Sequence, residues 1–132
     1  MRPDKPRSVT IRVAMTIAIG SACVAAVPSN HEQVRQFTSA KAFIHRGQWS
    51  DAIGAFEAFL HDHADSEFAD DSLYWIGYCY ERLPGQEAEA IEAYRKLAGL
   101  YPKSSWAKEA GERITVLMDR RIALIRERAK EG

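Results

Sequence analysis

The sequence predicts an all-α fold: a right-handed solenoid of helical hairpins, about five helices in all, with a long C-terminal capping helix and a signal segment in front. Three observations predict it. A block of 23 residues recurs at an offset of 38. Within each copy the apolar residues fall at three- and four-residue steps, the spacing of one helix face. After the first thirty residues no stretch alternates apolar and polar side chains as a half-buried strand does.

The repeat aligns Gly47–Ala69, GQWSDAIGAFEAFLHDHADSEFA, with Gly85–Ala107, GQEAEAIEAYRKLAGLYPKSSWA. Gly-Gln, Ala-Ile, the following Ala, Ser66/Ser104 and Ala69/Ala107 are identical, and bulky positions stay bulky: Phe56/Tyr94, Phe59/Leu97, His63/Tyr101 and Phe68/Trp106. Small and large residues kept in register over such a length point to duplication of one structural unit. Residues 1–26 read as the signal and 27–132 as the repeat domain, with repeats at about 31–63 and 67–101 and the capping helix at about 105–130.

The first helix is capped by Ser29, with Glu32 completing a capping box, and runs to about Arg46 with Val34, Phe37 and Ile44 on its apolar face. Gly47 stops it. The second, about Ser50–Asp62, presents Ala52, Ile53, Phe56, Phe59 and Leu60, and Ala64-Asp65-Ser66 turns the chain. The third, about Glu67–Arg82, presents Phe68, Leu73, Ile76 and Tyr80 before Leu83-Pro84-Gly85-Gln86 breaks it. The fourth, about Ala88–Leu100, presents Ala90, Ile91, Tyr94 and Leu97. Tyr101-Pro102-Lys103-Ser104 breaks again, and the last helix runs from near Trp106 to Arg128 with Ala110, Ile114, Leu117, Leu124 and Ile125 apolar.

The first thirty residues read as an address. Arg2, Lys5, Arg7 and Arg12 face a single Asp4, and Val13–Val27 then runs fifteen residues without a charge. A basic start, a short apolar run and small residues near its end describe a bacterial export signal. The run is short for a membrane span, which needs about 20 apolar residues. Gly20-Ser21-Ala22-Cys23 resembles a lipobox, which makes Cys23 the lipidation candidate; Val24-Ala25-Ala26 offers a competing cleavage site, and retention as an uncleaved anchor is the third outcome. The expected location is the periplasm, tethered to the outer membrane as a lipoprotein, with a soluble periplasmic form or an inner-membrane anchor as alternatives.

Formal net charge is zero, yet the halves differ. From Gln48 to Glu92 there are 11 acidic side chains against one basic; from Ala93 to Gly132 there are 10 basic and 5 acidic. Such polarity steers charged partners and sets orientation. Solvated helix faces of different sign are the plainer explanation. Nucleic acid is not expected as a partner, because the acidic stretch repels phosphates and the basic residues lack interleaved stacking rings. With only Cys23 and Cys79 there is no disulfide framework, so stability must come from helix packing.

Gly77 with Tyr80, Gly47-x-Trp49 with Ala52, then Phe56 and Phe59, resemble the small and large positions of the tetratricopeptide-repeat (TPR) family. The period of 38, where the family norm is about 34, comes from an extended joint, Ala64–Asp71, matched by Pro102–Ala107. That joint followed by SLYWIGYCY resembles envelope TPR proteins: BamD-like outer-membrane lipoproteins and YbgF/CpoB-like Tol-Pal proteins. The resemblance spans about Phe37–Leu117. It implies a non-catalytic scaffold that binds a protein or peptide, in outer-membrane protein assembly or in coordinating envelope constriction. The chain departs from both groups: BamD-like proteins carry more repeats, and YbgF-like proteins have an N-terminal coiled-coil segment not seen here.

Catalytic patterns are missing: there is no Gly-rich phosphate loop, H-E-x-x-H or G-x-S-x-G, and no cofactor is expected. His61 and His63, one residue apart, point to different faces of a helix, and His63 aligns with Tyr101, so packing outweighs a metal site. Cys79 has no histidine near it in sequence and reads as a small buried thiol. One helix face cannot bury Tyr74, Trp75, Tyr78 and Tyr80 together. Tyr74, Trp75 and Tyr78, beside Asp70 and Asp71, are the candidates for a protein-binding groove, against packing between repeats. The acids also suit the first turn of a helix as solvated charges. Past Met118 nothing in the chain remains to cover Ile122, Leu124 and Ile125, the candidates for docking or self-association through the last helix.

Overall fold

Five helices and no strand make up the described residues, 30–132, of this computed structural model. They are α1 (Asn30–His45), α2 (Trp49–Asp62), α3 (Ala69–Arg82), α4 (Glu87–Leu100) and α5 (Ser105–Glu131). The signal segment, Cys23 and the Ser29 cap lie outside the described residues. Residues 33–132 form one compact unit.

The punctuation is set by backbone chemistry. Gly47 has φ +71°, its N–H donates to Ile44 O and that of Gln48 to Phe43 O, at 3.0 and 2.9 Å. This pair of bonds closes α1 in the left-handed helix ending that glycine favours. Between the hairpins, Leu83-Pro84-Gly85-Gln86 closes with Gln86 N–H to Leu83 O at 3.3 Å. Pro at the second position and Gly85 at φ +75° suit a type II turn. Within each joint a serine performs the same task. Ser66 Oγ accepts from Phe68 N at 3.2 Å and Ser104 Oγ from Trp106 N at 3.1 Å, which caps α5.

The repeat is visible atom for atom in the core. Ala52 and Ala90, Phe56 and Tyr94, and Phe59 and Leu97 are equivalent pairs, and all are buried. Phe37, Ala40, Ile53, Phe56, Phe59 and Ile76 fill the layer between α1, α2 and α3. Leu73, Ala90, Ile91, Tyr94, Leu97, Ala110 and Leu117 fill the next, between α3, α4 and α5. Thus α3 packs on both sides, as a helix in the middle of a stacked array must. Rings extend the first layer outward: Phe37 stacks on Phe68 with centroids 4.9 Å apart.

Two expectations shift. Val34 was expected on the buried face of α1 and is 44% exposed. His63, the residue closing α2, meets Gln36, so Val34 lies past the end of its neighbour. The third helix begins at Ala69, not Glu67, because Ser66 and Phe68 belong to the capping turn.

Candidate functional site

Two opposite sides of α3 carry different surfaces. Leu73, Ile76 and Tyr80 turn toward α2 and α4, where with Leu60 and Ala93 they floor a hollow of about 510 Å³ rimmed by Glu57, Glu89 and Glu92. Tyr74, Trp75 and Tyr78 turn toward α1 and α5 and build an aromatic ledge. The three sequence candidates therefore stand together, and Tyr80 leaves them.

The ledge is tied to its neighbours by rings and cations. Tyr74 stacks on Trp106 of α5 at 4.1 Å between centroids, with planes 26° apart. Trp75 meets Tyr78 edge-on at 5.4 Å and Trp106 at 6.2 Å, and Trp49 at the start of α2 meets Tyr78 at 6.2 Å. Lys41 Nζ of α1 stands 5.3 Å from the Trp75 ring, and the Arg82 guanidinium 4.3 Å from that of Tyr78, both within cation–π range. All of Trp49, Tyr74, Trp75, Tyr78 and Trp106 are only half-buried. They pack between repeats and still present ring surface.

Asp70 and Asp71 sit in the first turn of α3, where carboxylates complement the helix dipole. Both are engaged from the next repeat: Ser104 Oγ donates to Asp70, and the Trp106 indole N–H donates to Asp71. Burial, then Asp70, raises the Asp71 carboxyl above its ordinary value, while Lys41 opposes the rise. These acids hold α5 onto α3.

Sequence reading did not find the charged network at the other end of the ledge. Glu81, whose side chain is 9% exposed, pairs with Arg113 of α5, and accepts from Tyr94 Oη at 2.8 Å. Burial pushes the Glu81 carboxyl up, but the hydrogen bonds from Arg113 and Tyr94 outweigh it and hold it below its ordinary value. Tyr94, through burial first and Glu81 second, is raised above its ordinary value. Tyr74, Tyr78, Arg82, Glu109 and Arg120 complete a hollow of about 280 Å³ around this pair. The acidic stretch of the sequence is thus divided. Asp70, Asp71 and Glu81 are bonded on the ledge side, while Glu57, Glu89 and Glu92 rim the opposite hollow.

Among the described residues no group of three His, Cys, Asp or Glu side chains is placed to hold a metal ion. His63 is buried, with Nε2 donating to Gln36 Oε1 at 2.9 Å, and it packs on Phe59 at 5.1 Å. Cys79 is buried, and burial pushes its thiol up to about 11. In α5, Leu124 continues the line that faces α4 and lies with Ile125 near Gly85, Glu87 and Ala88. Ile122 does not line this hollow and is 43% exposed.

The stacked hairpins with their small-to-large contacts agree with the family comparison, in which a tetratricopeptide-repeat model matches residues 37–105, just over half of the chain. The chain belongs to the tetratricopeptide-repeat family. TPR arrays are helical scaffolds for protein–protein contact, and stacking repeats creates the extended surface that such contact uses. In this TPR chain the face shared by α1, α3 and α5 carries the ring ledge. A comparison with curated proteins returns no significant match.

Proposed function

We propose that this chain is a cell-envelope TPR scaffold that holds a segment of a partner protein across the α1–α3–α5 face. The observation that carries this reading is the half-buried ledge of Trp49, Trp75 and Tyr78, rings braced from behind and open in front. Rigid aromatic side chains give contact area at small entropic cost, which is why they recur as anchors. The charge around the ledge favours the partner's chemistry. With Asp70, Asp71 and Glu81 bonded internally, Lys41, Arg82 and Arg120 outnumber Glu109. An apolar segment flanked by acidic side chains fits best.

Support for the envelope comes from the sequence: the basic start followed by the uncharged Val13–Val27. Lipidation at Cys23 would tether the domain to the outer membrane, since several acyl chains hold where one binds only marginally. The BamD-like joint favours a part in outer-membrane protein assembly; a Tol-Pal or constriction-linked role is the alternative. Exposure of every residue from Met118 onward favours a second reading, docking as a subunit through α5.

Affinity capture from envelope extracts tests the first reading. Trp75→Ala with Tyr78→Ala is expected to abolish capture, while truncation after Met118 leaves it intact. The reverse pattern supports docking through α5. Intact mass of the mature protein decides between lipidation, cleavage near Ala26 and retention.

A further inference from the structure

We propose that α5 pairs with the α5 of a second copy of this chain, antiparallel, about a two-fold axis near Arg120. α5 has 27 residues where its neighbour α4 has 14, and Leu117 is its last buried residue. From Met118 to Gly132 every residue is exposed. A helical extension of that length is marginal in water by itself.

The outer face of α5 is not polar. Gly111, Thr115, Met118, Ile122, Ile125 and Ala129 follow one another at steps of 4, 3, 4, 3 and 4, the seam spacing of two helices packed side by side. All six are exposed, and they form a line distinct from Ala110, Ile114 and Leu117, which face α4. At Gly111 a Cβ would meet nothing within 4 Å. Among the described residues no neighbour requires glycine there, although glycine weakens a helix interior. A second helix lying close against the seam would make use of that space.

The seam reads alike in both directions. Gly111 and Ala129, Thr115 and Ile125, and Met118 and Ile122 lie at equal distances from Arg120. An antiparallel partner therefore sets small against small at the ends and Met against Ile at the centre. Glu112 and Arg126 flank the seam on the same side. In that register Glu112 of one copy lies beside Arg126 of the other, and the two-fold makes this contact twice. Asp119 and Arg121, next to the axis on opposite sides of the seam, each face their own counterpart, one like-charge contact on either side. A parallel pairing sets Arg121 against Arg126 of the other copy and has no contact between Glu112 and Arg126 to offset it.

Sedimentation velocity of the full chain over a wide concentration range tests the pairing. The expected result is a monomer–dimer equilibrium. Ile122→Asp with Ile125→Asp should leave a monomer at all concentrations, with loss of helicity confined to the stretch after Leu117. Glu112→Arg should weaken the dimer roughly tenfold, and adding Arg126→Glu should restore it. A chain that stays monomeric, a dimer that survives the double aspartate variant, or a charge swap that fails to rescue would each overturn the proposal. Ile122 and Ile125 do not touch the aromatic ledge, so these outcomes are independent of partner capture there.

Discussion

The ring of Tyr94 lies against Gly77, so close that a Cβ on Gly77 would fall 2.6 Å from its Cε1 atom. Tyr94 is fully buried and its hydroxyl is fixed by Glu81, so the ring cannot retreat. The smallest side chain on α3 and the largest in the core of α4 are one packing unit.

Gly77→Ala is therefore expected to destabilise the protein by about 1–3 kcal/mol, the usual cost of overpacking a filled core. Gly54→Ala is the control. It too is a glycine within a helix, but its Cβ would meet nothing within 4 Å, so a gain of about 0.5–1 kcal/mol is expected. Urea denaturation of both variants checks the opposite signs.

The Glu81 carboxyl gives the fold an acid limb. Its folded value lies below the ordinary 4.5, so its contribution is complete above that pH and is lost as pH falls through the lower, folded value. Asp71 acts in the opposite sense, being raised above 3.8: below the raised value its penalty is relieved. Glu81→Gln should lower stability at pH 7 and flatten its dependence on pH below about 4.5. Thermal melts from pH 7 to pH 3 measure the difference in slope.

Trp106 joins α5 to α3 by its stack on Tyr74 and its bond to Asp71. Trp106→Phe keeps a ring and loses the donor, so a loss of about 1 kcal/mol is expected, as for one hydrogen bond. Trp106→Ala loses both and should cost about 2–4 kcal/mol. Near-ultraviolet circular dichroism should lose the aromatic signal in the alanine variant before helicity falls.

Cys79 should resist thiol reagents in the native state. Burial raises its thiol from 9.0 to about 11, so at pH 8 the folded protein holds almost no thiolate and gives no access to it. Labelling should proceed only through unfolding, at a rate that rises with denaturant. The same shift predicts that stability falls as pH rises from about 9 toward 11, where the unfolded thiol ionises first. Cys79→Ser or Cys79→Ala should reduce that alkaline slope, leaving the part owed to Tyr74, Tyr80 and Tyr94, which burial also raises above their ordinary value.

Much of this was legible in the sequence because repeats report their own geometry. Ala52/Ala90, Phe56/Tyr94 and Phe59/Leu97 had to be core once the offset of 38 was seen, and they are buried. Gly47, Gly85 and the serines at 66 and 104 announced the turns they make. What could not be read was the approach of α3 to α5. Glu81 and Arg113 are 32 residues apart, and Asp71 and Trp106 are 35. Their meeting follows from the angle between stacked hairpins, not from any local period. For the same reason the acid-rich stretch looked like one surface along the chain. The helices divide it between two sides of α3.

On this reading partners lie against the α1–α3–α5 face. A photo-activated cross-linking residue placed at Tyr78, and separately at Glu92 in the opposite hollow, tests it most directly in intact cells. Cross-linked partner polypeptide is expected from position 78 and none from position 92. Cross-links from position 92 with none from position 78 would contradict it.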